Sequence, residues 1–339
     1  MQQIRPRATM RDVAALAGVS LKTVSRVVND EVGVGDVVRE RVRAAVAQLD
    51  YRHHQGASDL RRGTGRTRAV GVLVQDVAND FSSRLLRSLE DAARVHGLAV
   101  LAGSLDEDPE RERALVADMV ARRVDGLVIM AATTVQDYLL PEQRAGLPIV
   151  FVDREPTGIA ADSVTVDNRA GARAGVEHLL ERGHRRIAFL GDLPAIATAH
   201  ERHLGYLDAL ATAGVDVDPA LVVHGLREED QARDAVLRLL AGPAAPTAVF
   251  AARNVLTTGA LTALRARGAS WRTALVSFDD LPLFELLDPS VTAVQQDVAA
   301  LGSTTAQLLV DRLAGDTSPP RRVVVQPRLV VRASSSSAP

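Results

Sequence analysis

Residues 9–29, TMRDVAALAGVSLKTVSRVVN, constrain the fold most strongly, because two short helical patterns flank a tight turn within them. Thr9 can cap the first helix, and Asp12 lies three residues on, where its carboxylate favours the helix start. Gly18 ends that pattern, and Ser20 can cap a second helix. The stretch therefore predicts two short helices joined by a turn.

The second helix has two faces of opposite character. Val24, Val27 and Val28 fall at i, i+3 and i+4, which is the spacing of a buried stripe. The other face carries cations and hydrogen-bonding groups, at Lys22, Ser25, Arg26 and Asn29. A packed back and a polar front are what the recognition helix of a helix-turn-helix motif needs to reach base edges in the major groove. The alternative interpretation is a generic helical hairpin with a solvated polar face.

The charge distribution favours nucleic acid over that alternative. Residues 1–68 hold 13 Lys and Arg against 7 Asp and Glu, a net charge of +6. Residues 69–339 hold 27 against 35, a net charge of −8. A basic head on an acidic body indicates that DNA is bound at one end only.

These residues resemble the DNA-binding head of the lactose-repressor (LacI/GalR) family of bacterial transcription regulators. The matching segments are DVAALAGVS, TVSRVVN, RERV at 39–42 and Tyr51. The resemblance implies a sequence-specific transcriptional repressor that binds double-stranded operator DNA. We expect Arg26 to make a bidentate contact to guanine. The residues of the head predicted to contact DNA are Leu21, Lys22, Thr23, Ser25, Arg26 and Asn29.

Residues 51–67 are polar and basic and contain glycine, so composition alone indicates a linker. The family resemblance implies a hinge helix that folds on operator DNA and inserts a leucine into the minor groove. Leu60 matches that leucine, and Ala57 matches a neighbouring contact. The chain departs from the family at 53–54, where two histidines replace the usual Pro-Asn, and Gly56 lowers the helix propensity.

From residue 69 onward, short apolar runs alternate with amphipathic helical patterns. The apolar runs are 70–74, 99–102, 126–130, 149–152, 187–190, 221–223, 248–251 and 274–277. This alternation predicts parallel sheets covered by helices on both faces. The remaining length accommodates two such units, so we expect two Rossmann-like lobes. Ligands of such sheets bind outside the carboxyl ends of the strands, which places a ligand in the cleft between the lobes.

The family resemblance implies the same architecture, because the family's body looks like a type I periplasmic sugar-binding protein. The predicted fold class is an all-α helix-turn-helix head joined to an α/β effector domain with two lobes and parallel sheets. The predicted divisions are a head (1–50), a hinge (51–67), an effector-binding and dimerisation domain (68–333) and a disordered tail (334–339). Within the effector domain, lobe one takes about 68–166 and 297–333, and lobe two takes about 167–296.

The Ser-rich tail carries no leucine heptad, so no tetramerising coiled coil is encoded there. A homodimer is the simplest assembly, and a two-fold dimer implies a palindromic operator. The direction of control stays open, because a ligand can either release or tighten DNA binding depending on which dimer state it prefers.

Polar residues at the ends of the apolar runs are the candidates for holding a small sugar-like effector. Carboxylates and amides pair with adjacent hydroxyls, and an aromatic ring offers a face to a sugar. On these grounds and on the family resemblance, the candidates are Asn79, Phe81, Asp153, Arg154, Arg202, Arg227, Arg253, Asn254, Asp279 and Gln295. For the polar candidates the alternative is a role in capping helices or bridging the lobes.

Three of these residues, at two places in the chain, depart from the family. The family often has an aromatic residue where this chain has Arg227, and Asn-Asp where it has Arg253 and Asn254. With Arg154 and Arg202, four guanidiniums could line one cleft, and bidentate arginine pairs well with carboxylate or phosphate. The sequence therefore suggests a sugar acid or a sugar phosphate as effector, unless these arginines point to solvent or pair with neighbouring acids.

Composition and motifs disfavour several other classes of protein. The 339-residue chain contains no cysteine, which removes disulfides, cysteine-based zinc sites and thiol catalysis. No apolar segment is long enough to span a bilayer and no secretory signal is present, so we expect a cytoplasmic protein without a membrane partner. Metal-binding histidine spacings and the GxSxG, GxxxxGK[ST] and GxGxxG motifs are absent, so we expect no cofactor and no catalysis. The alternatives kept open are an architectural DNA-binding protein that senses no ligand and, more remotely, an α/β enzyme using Asp153 and Asp279 as an acid–base pair.

Overall fold

The computed structural model describes residues 8–29, 31–51 and 66–336. It contains two compact units, residues 1–67 and 68–339, which we describe separately as the head and the body. Within the described ranges, no helix is long and apolar enough to cross a membrane.

The head consists of three helices around a small apolar core. The helices are α1 (Met10–Ala17), α2 (Leu21–Val28) and α3 (Asp36–Gln48). The Thr9 side chain and the Asp12 carboxylate form a reciprocal capping box at the start of α1, and the Ser20 side chain caps α2 by accepting from the Thr23 N–H. The buried core residues are Val13, Ala14, Ala17, Val24, Val27, Val42 and Ala45. The predicted helix pair with an apolar back is therefore present.

The body alternates strands and helices along the chain. Its strands are β1 (Ala69–Val74), β2 (Ala99–Ser104), β3 (Gly126–Ile129), β4 (Ile149–Val152), β5 (Asp162–Val166), β6 (Ile187–Leu190), β7 (Val222–Val223), β8 (Ala248–Ala251), β9 (Ala274–Phe278), β10 (Thr292–Gln295), β11 (Arg322–Val325) and β12 (Arg328–Val330). Its helices are α4 (Asp80–Val95), α5 (Pro109–Ala121), α6 (Leu140–Arg144), α7 (Asn168–Glu181), α8 (Ala197–Thr212), α9 (Glu229–Ala241), α10 (Asn254–Ala266) and α11 (Val298–Leu313). Short 3-10 segments occur at Asp137–Leu139, Pro219–Leu221, Pro282–Glu285 and Ala333–Ser335.

The strands form two six-stranded sheets, one in each lobe. Lobe one has the order β11-β5-β4-β3-β1-β2 and lobe two has the order β12-β10-β9-β8-β6-β7. All neighbours are parallel except β12, which runs antiparallel to β10. Side chains alternate between the two faces of each sheet, so that Leu127 and Ile129 enter one apolar cluster and Val128 enters the other. Two lobes with parallel sheets and cores on both faces confirm the predicted fold class of the body.

The two lobes exchange the chain near its C-terminus, and here the predicted boundary was wrong. Strand β11 returns to lobe one by pairing with β5, but β12 adds to the sheet of lobe two, with Val330 opposite Ala293. Residues 328–333 therefore belong to lobe two, although the prediction gave them to lobe one. A three-residue strand directly after Pro327 is too short to show a period in the sequence.

The predicted disordered tail was also wrong for its first residues. Ser334 and Ser335 are buried, and the Ser334 hydroxyl donates to the Leu275 carbonyl at 2.6 Å while accepting from the Thr292 N–H at 2.9 Å. The Ser335 hydroxyl lies 2.7 Å from the Thr292 hydroxyl and 2.8 Å from His178 Nε2. A serine-rich segment can be ordered when its hydroxyls form hydrogen bonds with a neighbouring element. Here the hydroxyls bind to β9 and β10, so the composition of the tail predicted disorder where there is none. Residues 337–339 of the predicted tail lie outside the described residues.

The two lobes share one structural feature: in each, an aspartate directly follows the strand that is fourth in chain order. Asp153 follows β4 and Asp279 follows β9, and both adopt left-handed backbone conformations, with φ of 68° and 76°. The Asp153 N–H donates to the Val164 carbonyl at 2.9 Å, and the Asp279 N–H donates to the Val294 carbonyl at 3.0 Å. Each lobe therefore turns a carboxylate toward the cleft at an equivalent place.

Close helix packing in lobe two depends on a glycine of α8. A Cβ at Gly205 would lie 2.3 Å from the Arg169 carbonyl oxygen and 2.9 Å from Ala172 Cβ, both on α7. We expect Gly205→Ala to lower the free energy of unfolding by about 1–3 kcal/mol, since the two helices must separate. Gly242→Ala is the matched control in the same lobe, because its Cβ would meet nothing closer than 3.4 Å. Urea unfolding measures both variants, and equal stability of Gly205→Ala and the wild type would contradict the packing argument.

Candidate functional site

The exposed face of α2 is the candidate DNA-reading surface. Leu21 is 44% exposed and Lys22 is also exposed, while Val24 and Val27 are buried behind them. The Thr23 hydroxyl already has a hydrogen-bond partner within the head, because it lies 2.9 Å from the Ser20 hydroxyl. The apolar side chain of Leu21 and the cationic side chain of Lys22, at the start of this helix, are therefore available to a partner.

The second half of α2 carries the other predicted contacts. The Asn29 amide donates to the Ser25 carbonyl at 2.7 Å and to the Ser25 hydroxyl at 3.2 Å, which fixes both side chains on the helix end. Arg26 lies 4.0 Å from the Glu31 carboxylate, and both side chains are close to half exposed. Such a surface pair contributes little energy, so Arg26 can leave it for a stronger acceptor. The predicted hinge contacts Ala57 and Leu60 lie outside the described residues.

The cleft between the lobes of the body is the candidate ligand site. It is lined by side chains that follow the carboxyl ends of strands in both sheets. Eight of the ten predicted residues line it: Asn79, Phe81, Asp153, Arg154, Arg202, Arg253, Asn254 and Asp279. The structure also brings there several polar residues that the sequence analysis missed: Gln75, Asp76, Glu107, Asp192, Thr198 and Gln296.

The prediction for Gln295 was wrong by one position. Gln295 donates to the Asp280 carboxylate at 2.9 Å and accepts from Arg328 Nε at 2.7 Å, away from the cleft lining. Its neighbour Gln296 is buried at the cleft and donates to the Asp279 carboxylate at 2.5 Å. Successive residues at a strand end point in opposite directions, so only one of the two can face the cleft. The side-chain oxygen of Gln296 is buried with no hydrogen-bond partner among the described residues.

The prediction for Arg227 was wrong as well, because this side chain does not line the cleft. Its Nη2 is 3.4 Å from the backbone carbonyl of Asp106, which lies in lobe one. Arg227 precedes α9 of lobe two, so it bridges the lobes. This is the bridging alternative that the sequence left open.

The three arginines that do line the cleft all have partners within the protein. Arg154 makes a two-point ion pair with Glu107, with one contact at 2.8 Å, and its side chain is 11% exposed. Arg253 lies 2.5 Å from the Asp192 carboxylate. Each guanidinium in these two pairs therefore has a carboxylate counter-ion before any ligand arrives.

Arg202 is held differently, inside lobe two. It donates to the Asn168 side-chain oxygen at 2.8 Å and to the Ala252 carbonyl at 2.8 Å, and it lies 3.8 Å above the Phe278 ring. Burial lowers the pKa of Arg202, and the nearby carboxylates of Asp279 and Asp153 oppose that shift. Arg202 is thus a fixed cation between the two carboxylates that end the fourth strands.

The carboxylates of Asp279 and Asp153 differ in the hydrogen-bond donors that surround them. Asp279 accepts from Gln296 and, at 3.4 Å, from the Asn254 N–H. The Asp153 carboxylate lies in the cleft lining, 3.8 Å from Arg154 Nε, and no described residue donates a hydrogen bond to it. Burial raises the pKa of the Asp153 carboxyl, which Arg154 and Arg202 partly offset. Asp153 is therefore a largely buried carboxylate that faces the cleft without a hydrogen-bond donor from the described residues.

The predicted ligand contacts Asn79 and Asn254 bind each other across the cleft. Asn79, which caps α4 of lobe one, donates to Asn254 Oδ1 at 3.0 Å, and Asn254 donates back at 3.3 Å. Arg84 of α4 also donates to the Asp280 carbonyl of lobe two at 3.3 Å. Direct hydrogen bonds therefore join the lobes at the edge of the cleft.

Some of the missed residues carry a signal in the sequence and others do not. Gln75 follows β1 and Asp192 follows β6 by two residues, so the search for polar groups after strands could have found both. Glu107 lies in a turn after β2 where Asp106 and Glu107 both have positive φ, of 55° and 56°. Nothing in the local sequence marks that conformation, since neither residue is glycine.

The cleft contains acceptors, donors and an aromatic ring, which suits a hydroxyl-rich molecule. Among the described residues, no group of three or more His, Cys, Asp or Glu side chains could hold a metal ion.

Comparison with known protein families matches both parts of the chain. Residues 9–53 match the family described as bacterial regulatory proteins, lacI family, and residues 176–335 match the periplasmic binding protein-like domain. The transcriptional regulator CelR of Thermobifida fusca is 34% identical over 342 residues, which cover 97% of this chain and 99% of the relative.

Solved structures show the same architecture. The complex of the transcriptional regulator CelR with cellobiose is 32% identical, with a TM-score of 0.70, over 97% of this chain and 100% of that chain. The lac repressor dimer bound to operator and the anti-inducer ONPF is 26% identical, with a TM-score of 0.83, over 98% of this chain and 99% of that chain. These relatives are transcription regulators and not enzymes. The chain belongs to the lacI family of bacterial regulatory proteins and is a DNA-binding transcription regulator.

Proposed function

We propose that this protein is a repressor that binds a palindromic operator as a homodimer and is modulated by a small sugar-like effector in the cleft. The observation that carries the effector part is the cleft lining, which comes from both lobes and contains buried polar groups with unused hydrogen-bonding capacity. A ligand held by both lobes necessarily biases how they are arranged. That bias is the differential affinity that allosteric control requires.

The choice of a sugar-like effector has chemical and comparative support. Hydroxyls both donate and accept, which suits the carboxylate of Asp153, the amide of Gln296 and the guanidinium of Arg202. Phe81, partly buried in the lining, offers an apolar face to a ring. The related regulator CelR is solved as a complex with cellobiose, a neutral sugar.

The sequence-based hypothesis of an anionic effector loses its main support. It assumed four arginines available to a ligand, but Arg227 lies outside the lining and two others are paired with carboxylates. The lining contains five carboxylate residues against three arginines: Asp76, Glu107, Asp153, Asp192 and Asp279. The balance of charge therefore favours a neutral molecule.

Dimerisation is supported by a related assembly and by exposed apolar side chains. The related lac repressor is solved as a dimer on its operator. In lobe two of this chain, Leu283 is 66% exposed and Leu286 is 78% exposed, and Trp271 is also exposed. Exposed apolar side chains of this size are available to pack against a second copy of the chain. A two-fold dimer would present two heads to two half-sites, with Ala57 and Leu60 proposed to contact the minor groove between them.

The experiment for this proposal is a selection of binding sites from random duplex DNA, with and without a panel of neutral and acidic sugars. We expect enrichment of an inverted repeat, and a change in affinity for it with at least one sugar. Sedimentation of the free protein should give a dimer. Enrichment of a repeat that no sugar affects would favour the ligand-insensitive regulator, and a monomer without duplex preference would overturn the proposal altogether.

A further inference from the structure

We propose that Glu107 and Asp192 act as built-in counter-ions that exclude anionic ligands and thereby determine the charge of the effector. This inference rests on the proposed function, because it concerns the same cleft. Glu107 belongs to lobe one and Asp192 to lobe two, and each pairs with an arginine of its own lobe. One arginine in each lobe is thus neutralised by a carboxylate of the same lobe.

Glu107 is held in place by its backbone as well as by its partner. The Glu107 N–H donates to Gln75 Oε1 at 3.0 Å, and the Asp106 N–H donates to the Gln75 carbonyl at 2.8 Å. These bonds stabilise two consecutive left-handed residues, a conformation that costs free energy in residues other than glycine. The turn directs a side chain that is only 10% exposed onto Arg154. Because the backbone adopts this costly conformation to place the Glu107 carboxylate on Arg154, the negative charge of Glu107 at the cleft is expected to have a function.

Asp192 is fixed in a comparable way on the opposite lobe. One carboxylate oxygen accepts from the Leu193 N–H at 2.7 Å, and the other contacts Arg253 Nη1 at 2.5 Å. The Asp192 side chain is 8% exposed, whereas that of Arg253 is 25% exposed. The carboxylate is therefore the anchored member of the pair, and Arg253 is turned onto it.

An anionic ligand would have to compete with both carboxylates. A bound carboxylate or phosphate near Arg154 or Arg253 would either displace the existing partner or lie beside it as a second buried negative charge. A hydroxyl carries no such penalty. Among the described residues, Arg154 Nε has no hydrogen-bond acceptor and Gln296 Oε1 has no hydrogen-bond donor, and a hydroxyl at the cleft can satisfy either. The arrangement therefore accepts neutral polyols and rejects acids of the same shape.

The test uses the full-length protein and inorganic phosphate as the probe. Glu107→Gln and Asp192→Asn, singly and together, remove the counter-ions with little change of shape. We expect phosphate, compared with chloride at equal ionic strength, to raise the thermal unfolding midpoint of the double variant by roughly 2–4 °C relative to its effect on the wild type. Asp76→Asn is the matched control, because it removes a carboxylate from the same lining but no ion pair to arginine is formed there.

Three outcomes would overturn the inference: phosphate stabilises the wild type as much as the double variant, it stabilises Asp76→Asn equally, or it stabilises neither counter-ion variant. Because each comparison is made within one variant, a variant with lower intrinsic stability still gives a result. Calorimetry with a neutral sugar and its uronic acid adds a second readout, and we expect the double variant to shift the preference toward the acid by at least about tenfold. If the wild type binds sugars but this ratio does not move, the charge filter fails and the proposed function stands. If no variant binds any sugar while phosphate still distinguishes them, the proposed effector fails instead.

Discussion

Replacing Arg26 with alanine should abolish the preference for the selected operator while leaving most of the salt-dependent binding to other DNA. A bidentate arginine–guanine contact contributes about 1–3 kcal/mol of discrimination, which is roughly a 5- to 150-fold loss of affinity for the correct site. The residual binding comes from the other basic residues of the head, whose contacts to phosphate do not read sequence. Arg26 can be lost without unfolding the head, because its side chain is close to half exposed and its ion pair with Glu31 spans 4.0 Å.

Arg41→Ala on α3 is the matched control, since it also removes one exposed cation from the head. Titration of the selected duplex and of a scrambled duplex at several salt concentrations separates the two variants. Arg41→Ala should weaken both duplexes equally, whereas Arg26→Ala should remove the difference between them. Retention of the full preference by Arg26→Ala would exclude this residue as a base-reading contact.

The architecture could be predicted from the sequence because its signals are local. Each helix signal in the head lies within one or two turns of the chain, as with the caps at Thr9 and Ser20 and the buried stripe of Val24 and Val27. The apolar runs of the body are strands because both faces of each parallel sheet are covered. The errors arose where pairing was distant, as with β12, whose partner β10 lies more than thirty residues earlier in the chain. The buried Ser335 likewise depends on Thr292 and His178, which no local pattern connects to it.

The cleft was predictable in position but less so in chemistry. Polar residues after strands lie at the cleft because parallel strands end at one edge of the sheet, and this rule found Asp153 and Asp279. It could not say that Asn79 and Asn254 bind each other, since they are 175 residues apart and belong to different lobes. It also could not find Glu107, whose approach to Arg154 depends on a left-handed turn. The net charge that a ligand meets is set by such pairings, so a count of arginines in the sequence does not predict it.

Asp153→Asn should make the protein more stable and at the same time remove most of its effector binding. Burial raises the pKa of Asp153 above its ordinary value of 3.8, so the carboxylate is disfavoured in the folded state at neutral pH. Asparagine keeps the shape, removes the charge and tolerates the left-handed φ of 68°. We expect the thermal midpoint to rise by about 2–4 °C at pH 7, and sugar affinity to fall by roughly 10- to 100-fold, as for loss of a charged hydrogen bond.

The pH dependence of the difference in thermal midpoint tests separately whether Asp153→Asn acts through charge. A carboxyl whose pKa is raised in the folded state lowers stability increasingly as the pH rises above its ordinary pKa, so the advantage of Asp153→Asn should be larger at neutral pH and vanish as the pH falls toward 3.8. Calorimetric scans of the variant and the wild type between these limits measure it. A difference in midpoint that is constant with pH would mean that the substitution acts through packing and not through charge.

Asp279→Asn, at the equivalent position of lobe two, should change stability in the opposite direction. Its carboxylate accepts from the Gln296 amide at 2.5 Å and from the Asn254 N–H at 3.4 Å, and an asparagine amide must turn its own donor toward one of these donors. The two variants share the same chemistry, and both sites have a left-handed backbone, so only the satisfaction of the carboxylate differs. If both substitutions raise the midpoint, the Asp279 carboxylate is not satisfied by Gln296 and Asn254 as described. If they differ in sign and both lose the sugar, the unsatisfied charge of Asp153 is retained for binding at the expense of stability.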